Sequence, residues 1–451
     1  MVKLICMNYK NKKVLVIGLA RSGKAAIRLL NKLGAQIYLS ERNEPSKQEL
    51  EFLEANNVTV YNQDMSVFEK DYDLVVKNPG VPPVSPIVKR LKERNIPIIT
   101  EIELAYSVSK PQHYIAITGT NGKTTTTTLV YEILKTAYKD KALVGGNIGT
   151  PLCELVLDNN LMEEDGFYIS LEISNHQLVD IVDFRPEVST IINLGPDHLE
   201  TMGSLEAYYK SKTEVYRNQR DDDLFLMNID DELVKEYTKK YPTNCNIKTF
   251  SIEAKKADAY LQDNNIFVDD ELLFSKDIVK IVGNHNIQNI LVSILACLKV
   301  GVTKEDIVKT IENFNGVEHR IEFVRDINGV KYYNDSKGTN VDATITALKA
   351  FDSNVILLVG GYEKGLDVKP MVPYMKVCKK VIGYGLSGNR IANDLVDNPI
   401  VVNDLKQAID EANKIAKTGD VILLSPTTSS YDQYSGYEER GRHFKQIVNS
   451  L

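Results

Sequence analysis

The chain has 451 residues, of which 43% are hydrophobic and 25% charged, with 26 Gly and 15 Pro. This composition excludes a disordered, collagen-like or low-complexity protein, and the length predicts several domains, each able to bury its own core. The formal net charge of −7 argues against non-specific nucleic-acid binding. Residues 1–100 carry more basic than acidic side chains. This excess indicates either that the first domain binds a small anionic ligand or only that its surface charge is uneven and solvated.

The sequence also indicates the cellular compartment, through its lack of targeting segments and the spacing of its cysteines. No run of apolar residues is long enough to span a membrane, and the N-terminus has no cleavage-site pattern for secretion. The five cysteines are far apart and form no CxxC pair, so we interpret them as packing residues in a reducing compartment: Cys6, Cys153, Cys245, Cys297 and Cys378. The sequence therefore predicts a cytoplasmic protein without membrane or nucleic-acid partners, and we expect a monomer.

The first block of the chain has the pattern of a doubly wound α/β fold. An apolar run at residues 14–18 predicts a buried parallel strand, and apolar residues at helical spacing follow over 26–33. A second strand is predicted at 36–40. The intervening turn reads G-x-A-x-x-G from Gly18 to Gly23, with Glu41 after the second strand. An NAD-binding site is one interpretation of this unit, weakened by alanine at the second glycine position.

Two further α/β blocks follow. The second has predicted strands at 114–118, 167–173 and 188–193, and the third at 355–359, 380–384 and 421–424. Each strand of the third block leads into a turn that contains glycine or proline, which is typical of parallel sheets with ligands at their carboxyl edge. We predict three domains with boundaries at 1–109, 110–316 and 317–451. The first and third are Rossmann-like, and the central one resembles P-loop ATPases.

The central block contains a candidate phosphate loop between a strand and a helix. Its glycines let backbone N–H groups approach phosphate oxygens, and the helix N-terminus adds partial positive charge. A lysine at 123 would neutralise the β- and γ-phosphates, and a threonine at 124 would ligate Mg²⁺. The usual first glycine of a P-loop is replaced by Ile117, so this is a variant. The predicted ATP-binding residues here are Gly119, Thr120, Asn121, Gly122, Lys123, Thr124 and Thr125.

The variant loop TGTNGKTTT at 118–126 resembles that of the Mur ligase family, ATP-dependent amide-forming enzymes of cell-wall precursor synthesis. The segments GGNIG at 145–149, NLGPDHL at 193–199 and YYKSK at 208–212 are similar to other segments of the family. The resemblance implies two Mg²⁺ ions, held by Thr124, Glu172, His198 and a carbamylated Lys212, and places Asn147 at a nucleotide-sugar substrate. A carboxylate at the end of a strand suits Mg²⁺, and a carbamate would turn the Lys212 ammonium into an anionic oxygen ligand.

Two segments imply further nucleotide contacts through the same resemblance. GNHNIQN at 283–289 is similar to the family's adenine-side segment, which implies Asn286 and Asn289 as contacts. Arg320 matches a phosphate-contacting arginine, a type suited to phosphoryl transfer by its permanent, forked charge. NDSKGTN at 334–340 resembles the family's NDSKATN, which implies that Asp335 contacts the nucleotide.

The remaining motifs concern the other two substrates. In the family, the first domain holds a uridine diphosphate sugar, which implies Arg21 and Ser22 near the pyrophosphate and Glu41 and Arg42 near the uracil. NPGV at 78–81 resembles the family's S-P-G turn, which implies Gly80 in the same site. SPTTSSYDQY at 425–434 and YEERG at 437–441 resemble the pattern of members that use D-glutamate. By position, the D-glutamate contacts are Thr339, Lys364, Ser430 and Tyr437.

Taken together, these motifs predict an ATP-dependent ligase that joins D-glutamate to UDP-N-acetylmuramoyl-L-alanine through an acyl phosphate. Its catalytic residues would be Lys123, His198, Lys212 and Arg320. Three alternatives remain. A folylpolyglutamate-type ligase would not need the first domain, and a non-catalytic regulator would be expected to have lost Lys123, Glu172 or Lys212. An NAD-dependent dehydrogenase would not need the phosphate loop.

Overall fold

A computed structural model describes residues 7–62, 65–196, 202–253 and 256–451. The chain divides into two compact units, Met1–Ser275 with Gln288–Thr310 and Lys276–Ile287 with Ile311–Leu451. The three predicted domain boundaries stay a prediction, because this division separates two units only. Within the described ranges, no helix has both the length and the apolar character that crossing a membrane requires.

The first sheet of the first unit is wholly parallel, with strand order β3-β2-β1-β4-β5. Its first strand is buried on both faces along residues 14–17, which explains the uninterrupted apolar run in the sequence. The predicted strand–helix–strand unit is confirmed. The strands are β1 Lys13–Ile17, β2 Gln36–Glu41, β3 Thr59–Asn62, β4 Leu74–Lys77 and β5 Ile98–Ile99, and the helices are α1 Arg21–Lys32, α2 Lys47–Ala55, α3 Pro86–Glu93 and α4 Glu101–Val108.

The second sheet of this unit has the order β14-β13-β12-β11-β10-β9-β6-β8-β7. It is parallel from β7 to β12, while β12, β13 and β14 pair antiparallel. The strands are β6 His113–Thr118, β7 Ala142–Gly146, β8 Tyr168–Glu172, β9 Val188–Ile191, β10 Leu224–Asn228, β11 Asn246–Ser251, β12 Ala259–Gln262, β13 Asn265–Val268 and β14 Glu271–Ser275. The helices are α5 Lys123–Tyr138, α6 Leu152–Asp158, α7 Asn175–Leu178, α8 Leu205–Thr213 and α9 Glu232–Lys240. Two further helices, α10 Asn284–Lys299 and α11 Lys304–Asn313, each contain residues of both units, since the division falls after Ile287 and after Thr310.

Two buried carboxylates of α4 join the first sheet to the loops of the second. Glu101 accepts a hydrogen bond from the backbone N–H of Cys153 at 2.9 Å. Glu103 accepts bonds from the backbone N–H groups of Asp183 at 2.7 Å and Phe184 at 3.1 Å. Because each carboxylate satisfies backbone donors of the other layer, the two sheets of this unit form one compact body.

The second unit contains a six-stranded sheet of order β15-β16-β20-β17-β18-β19, in which only the pairing of β15 with β16 is antiparallel. The strands are β15 Glu322–Ile327, β16 Val330–Asn334, β17 Val355–Gly360, β18 Cys378–Tyr384, β19 Ile400–Val401 and β20 Val421–Leu424. The helices are α12 Val341–Leu348, α13 Gly385–Leu395, α14 Leu405–Ile415 and α15 Tyr437–Asn449. The α/β class predicted for all three blocks is confirmed.

Strand order determines where ligands can bind in such sheets. In the first sheet the strand order reverses between β1 and β4. In the second sheet β6 lies between β8 and β9, so the order reverses there as well. Crevices outside the carboxyl ends of parallel strands open at these points. The candidate site residues of the sequence lie in the turns that follow residues 17, 77, 118 and 172. All four turns lie at these edges.

Candidate functional site

The phosphate loop connects β6 to α5, as predicted. Gly119 and Gly122 have φ angles of +150° and +83°, conformations that favour glycine over residues with a side chain. A β-carbon at Gly122 would also lie 2.5 Å from Oδ1 of Asn289, which is buried in the first unit. Asn289, predicted to contact adenine, therefore packs directly against the phosphate loop.

Asn193, which follows β9, orders this loop through both its backbone and its side chain. Its carbonyl accepts the N–H of Thr120 at 3.0 Å, and its Oδ1 accepts the N–H of Asn121 at 2.8 Å. Its Nδ2 donates to the carbonyl of Asn121 at 3.2 Å. Asn193 begins the motif at residues 193–199, but its role was not evident from the sequence. Its position directly after a buried strand was the available signal.

Two lysines reach the backbone of the phosphate loop. Nζ of Lys123 donates to the carbonyls of Gly119 at 2.9 Å and Thr120 at 2.8 Å. Nζ of Lys212, on helix α8, also donates to the carbonyl of Gly119 at 2.9 Å, and lies 4.7 Å from the centre of the Tyr208 ring. Lys212 is only 1% exposed. The structure thus brings both predicted catalytic lysines to one loop residue.

Glu172 ends β8, next to the strand that leads into the phosphate loop. It pairs with Ile117 across the sheet and is 2% exposed. Its Oε1 accepts a hydrogen bond from Nδ2 of Asn147 at 2.8 Å, so the predicted substrate residue Asn147 also orients the predicted metal ligand. Oε2 is buried and has no hydrogen-bond partner among the described residues. A buried anionic oxygen in this state is costly unless a ligand or cation satisfies it.

These residues fit a magnesium ion on chemical grounds. Mg²⁺ takes one or two carboxylates beside phosphate oxygens and water, and Glu172 offers one such oxygen while Thr124 lies in the first turn of α5. Within the described ranges, no group of three or more His, Cys, Asp or Glu side chains could hold a metal ion. The predicted ligand His198 lies outside the described residues.

The predicted sugar-nucleotide residues surround the turn after β1. Gly23 comes so close to this turn that a β-carbon on it would lie 2.0 Å from the carbonyl oxygen of Gly18. Ser22 lies in the first turn of α1, where backbone N–H groups and the helix dipole favour an anion. Arg21 is exposed, and its guanidinium donates to the carbonyl of Asn147 at 3.5 Å.

Glu41 acts on the same turn from the end of β2. Its Oε2 accepts the N–H of Leu19 at 2.5 Å, and its Oε1 accepts the N–H of Arg42 at 2.6 Å. The carboxylate is thus occupied by backbone donors on both oxygens, while the Arg42 side chain is exposed. Gly80 lies in the turn after β4, where its N–H donates to Oδ1 of Asn78 at 3.0 Å.

In the second unit, the backbone around Arg320 has an unusual conformation. Its neighbours His319 and Ile321 have φ angles of +65° and +44°, and a β-branched residue at positive φ is strained. Hydrogen bonds hold both neighbours in place. The N–H of His319 donates to Glu322 at 3.0 Å, and that of Ile321 donates to Asp335 at 3.3 Å. Such strain concentrates at functional sites, which agrees with the role predicted for Arg320.

Asp335, predicted to contact the nucleotide, is buried. Its Oδ2 accepts a hydrogen bond from Oγ of Ser425 at 2.7 Å. Burial raises the pKa of this carboxyl to about 7, against the smaller opposing effect of the Ser425 hydrogen bond. The nucleotide role of Asp335 stays a prediction. Asn286 is also buried in this unit, and its Nδ2 donates to the carbonyl of Val282 at 2.7 Å.

The raised pKa of Asp335 gives a pH-dependent prediction. The unfolded chain ionises this carboxyl at its ordinary pKa of 3.8, whereas the folded chain holds the proton up to about pH 7. The folded state therefore binds more protons in this window, and its free energy of unfolding falls as the pH rises. We expect the free energy of unfolding, measured with urea, to fall more steeply with rising pH for wild type than for Asp335→Asn. Parallel pH profiles for the two proteins would contradict the prediction.

Asp73 offers a control of opposite sign. A hydrogen bond from Lys12 holds the pKa of the Asp73 carboxyl below its ordinary value. This interaction stabilises the fold above the unfolded-state pKa and is lost as the pH falls. The stability advantage of wild type over Asp73→Asn should therefore shrink towards acidic pH, whereas its advantage over Asp335→Asn should grow.

The four predicted D-glutamate residues all lie at the carboxyl edge of the six-stranded sheet or in α15. Lys364 is exposed, Thr339 and Tyr437 are half-buried, and Ser430 is buried. The fully buried Arg440 orders this edge, with Nε 3.0 Å from Oγ of Ser336 and Nη1 3.2 Å from the carbonyl of Thr428. Arg440 belongs to the motif at residues 437–441, but its role was not evident from the sequence.

Two family models match this chain. Residues 117–297 match the family model described as Mur ligase middle domain, and residues 319–428 match the one described as Mur ligase, glutamate ligase domain. The chain is 37% identical over 454 residues to UDP-N-acetylmuramoylalanine–D-glutamate ligase of Geobacillus sp. strain WCH70, covering 98% of each protein. It is 38% identical to the protein of the same name from Streptococcus agalactiae serotype Ia, again over 98% of each.

A solved structure supports the fold at greater distance. The MurF ligase of Thermotoga maritima, crystallised in complex with ADP, superposes with a TM-score of 0.54 at 18% sequence identity. The match covers 98% of this chain and 96% of that protein. At this identity the likeness concerns the fold alone.

Proposed function

This chain belongs to the Mur ligase family and is an ATP-dependent, amide-forming ligase, and we propose that it adds D-glutamate to UDP-N-acetylmuramoyl-L-alanine in peptidoglycan precursor synthesis. The observation that carries the proposal from the structure is the carboxyl edge of β6 and β8. There a glycine-rich phosphate loop lies next to a buried carboxylate oxygen that has no hydrogen-bond partner among the residues the structure describes. Relatives that align over almost the whole chain carry the D-glutamate assignment in their names.

The proposed reaction has two steps. The carboxylate of UDP-N-acetylmuramoyl-L-alanine attacks the γ-phosphorus of ATP, the bond to the β-phosphate oxygen breaks, and ADP leaves. The amine of D-glutamate then attacks the acyl carbon, the C–O bond to phosphate breaks, and phosphate leaves while the nitrogen loses a proton. Phosphorylation is needed because a free carboxylate is a poor acyl donor.

The residues of the phosphate loop have a defined task in the first step. The backbone N–H groups of the loop and the start of α5 bind the phosphates, and Lys123 neutralises their charge. Asn193 keeps the loop in its binding conformation. Arg320 is proposed as a further cation for the transferring phosphoryl group, because its guanidinium is permanently charged. Asn286, Asn289 and Asp335 keep the nucleotide roles that the family resemblance implies.

Magnesium is part of the proposal. Two Mg²⁺ ions are proposed. Their ligands from this chain would be Glu172, Thr124, His198 and Lys212. Bound Mg²⁺ would neutralise charge that develops on the phosphate oxygens. Within this chain, the hydrogen bond from Asn147 leaves Oε2 of Glu172 as the oxygen available to a cation.

We also propose that Lys212 carries a carbamate, formed when its neutral amine adds carbon dioxide and releases a proton. Support comes from its burial and from the position of Nζ at the carbonyl of Gly119. With carbon-13-labelled bicarbonate, we expect a carbamate carbonyl resonance in wild type and in Lys210→Arg, which alters an exposed lysine of the same helix. The resonance should be absent from Lys212→Arg. Identical spectra for all three proteins would contradict carbamylation.

The experiment that tests the function measures phosphate release from ATP and Mg²⁺ with UDP-N-acetylmuramoyl-L-alanine present. D-glutamate is included, omitted, or replaced by L-glutamate. We expect release only with the D isomer, together with a product heavier by one glutamyl residue. Folded, bicarbonate-supplied protein that shows no turnover would overturn the D-glutamate assignment, and a parallel assay with folate acceptors would then test the folylpolyglutamate alternative.

The substrate residues of the first sheet complete the proposal. Arg21 and Ser22 would bind the pyrophosphate, Glu41 and Arg42 would lie near the uracil, and Gly80 would belong to the same site. Thr339, Lys364, Ser430 and Tyr437 would bind D-glutamate. A dicarboxylate requires cations and hydroxyl donors, and the second set supplies them. A monomeric, cytoplasmic enzyme remains our expectation, which sedimentation and cell fractionation would test.

A further inference from the structure

A buried ion pair lies behind the turn that follows β4. Lys77 is the last residue of that strand and is 0% exposed. Its Nζ lies 3.3 Å from Oδ2 of Asp180, whose side chain is 4% exposed. Taking both charges out of water is costly, so a buried pair of this kind is weak evidence for a role in stability. None of the motifs discussed above includes either residue.

Lys77 makes a second contact that closes the turn. Its Nζ donates to the carbonyl of Val81 at 3.2 Å, across residues 78–81. Inside this turn, the N–H of Val81 donates to the carbonyl of Asn78 at 2.9 Å. The ammonium group therefore holds the far end of the turn while the strand holds its beginning, and the side chain of Asn78 is fixed between them.

The position of Asn78 matters because it packs against the glycine turn after β1. A β-carbon on Gly18 would lie 3.0 Å from Cβ of Asn78, and one on Gly23 would lie 3.6 Å from its Nδ2. That Nδ2 is buried and has no hydrogen-bond partner in the part of the chain that the structure describes. The two turns form the edge at which the first sheet reverses its strand order, and a buried N–H donor without a partner there suits an anionic or carbonyl oxygen of a ligand.

The other end of the ion pair belongs to the second sheet. Asp180 lies shortly after the short helix Asn175–Leu178, in the segment that continues from Glu172. This segment is anchored at its start, where the N–H of Ile173 donates to the carbonyl of Ile117 at 3.0 Å. The pair thus connects the sugar-nucleotide turn to the segment that carries the proposed metal ligand.

We propose that Lys77, held by Asp180, is a positioning residue for the sugar-nucleotide substrate: it sets the turn of residues 78–81 against the glycine turn, so that the Asn78 amide and the backbone of Gly80 face the substrate. Lys77 itself does not touch the substrate. The inference rests on the proposed function, because it assigns the first sheet to UDP-N-acetylmuramoyl-L-alanine.

The test compares steady-state constants of wild type, Lys77→Met/Asp180→Asn and Lys12→Met. The double variant removes both charges and so leaves no unpaired buried ion. Lys12→Met removes an exposed ion pair with Asp73 at the opposite end of the same sheet. We expect the KM for UDP-N-acetylmuramoyl-L-alanine to rise about tenfold in the double variant. The KM values for ATP and D-glutamate should stay within about twofold of wild type, and Lys12→Met should match wild type throughout.

The possible outcomes separate this inference from the proposed function. An active wild type with an unchanged sugar-nucleotide KM in the double variant would overturn the inference alone. So would an equal rise in all three KM values, because that is what general loss of structure produces. A wild type without D-glutamate-dependent turnover would overturn both. If the double variant does not fold, Lys77→Arg, which keeps the charge but changes the geometry of the donor, is expected to raise the same KM selectively.

Discussion

Replacement of Lys123 by methionine is expected to lower kcat about 10²–10³-fold, the usual cost of removing a donor that stabilises transition-state charge. Nζ of Lys123 lies within 2.9 Å of two carbonyls of the phosphate loop, so its charge is placed where the β- and γ-phosphates would bind. Methionine preserves the length and apolar stem of the side chain. Stopped assays of phosphate release with saturating substrates measure the effect.

The same helix provides the matched control for Lys123. Lys135 is exposed and lies in the last turn of α5. Its replacement by methionine removes the same positive charge as Lys123→Met. Lys135→Met should keep wild-type kcat, and both variants should unfold at the wild-type urea concentration. A Lys123→Met protein with more than about a tenth of wild-type kcat would contradict a role in phosphoryl transfer.

For Glu172→Gln we expect the second-largest loss, about 100-fold in kcat, together with a higher Mg²⁺ concentration for half-maximal rate. A bound metal ion contributes several kcal/mol of charge stabilisation, and the variant removes the anionic oxygen that would hold it. Glutamine is isosteric and can still accept the hydrogen bond from Asn147 at Oε1. Titration of Mg²⁺ at fixed ATP separates the loss of metal affinity from a loss of rate.

Exposed Glu163, which precedes the same strand, serves as the control carboxylate. Glu163→Gln should titrate with Mg²⁺ as wild type does. The metal assignment for Glu172 would be wrong if Glu172→Gln retained the wild-type Mg²⁺ dependence. Since Oε2 of Glu172 is buried and has no hydrogen-bond partner within the described ranges, the variant is expected to unfold at an equal or higher urea concentration than wild type.

The local signals in the sequence agree with the structure where they depend on short-range chemistry. The apolar run at residues 14–17 forms the buried strand β1, and the glycine-rich segment after β6 forms a loop at a helix N-terminus. Ser204, a residue type that favours the N-cap position, accepts the N–H of Ala207 at the start of α8 at 3.1 Å. Strand ends were less accurate. The strand expected over 188–193 ends at Ile191, because the carbonyl of Asn193 accepts a hydrogen bond from Thr120 of the phosphate loop.

Other features of the site could not be read from the sequence. Asn193 holds the phosphate loop across 72 residues of chain, and Asn147 orients Glu172 across 25. Asp335 was predicted to contact the nucleotide, and only the packing of Ser425 and Ile321 around it shows that its carboxyl is buried. Its motif identifies the residue but not the orientation of its side chain.

By itself, the sequence determined the α/β class, the position of the phosphate loop, the membership of the Mur ligase family and the set of candidate residues. These follow from hydrophobic periodicity, from glycine requirements and from short motifs, all of which act between neighbours in the chain. Tertiary structure alone decided which groups are left without partners and which pairs meet. The burial of Oε2 of Glu172, the approach of Lys212 to Gly119 and the pairing of Lys77 with Asp180 arise when separate segments of the chain meet at a common edge. Burial then sets the energy of each group, and no local pattern encodes burial by distant segments.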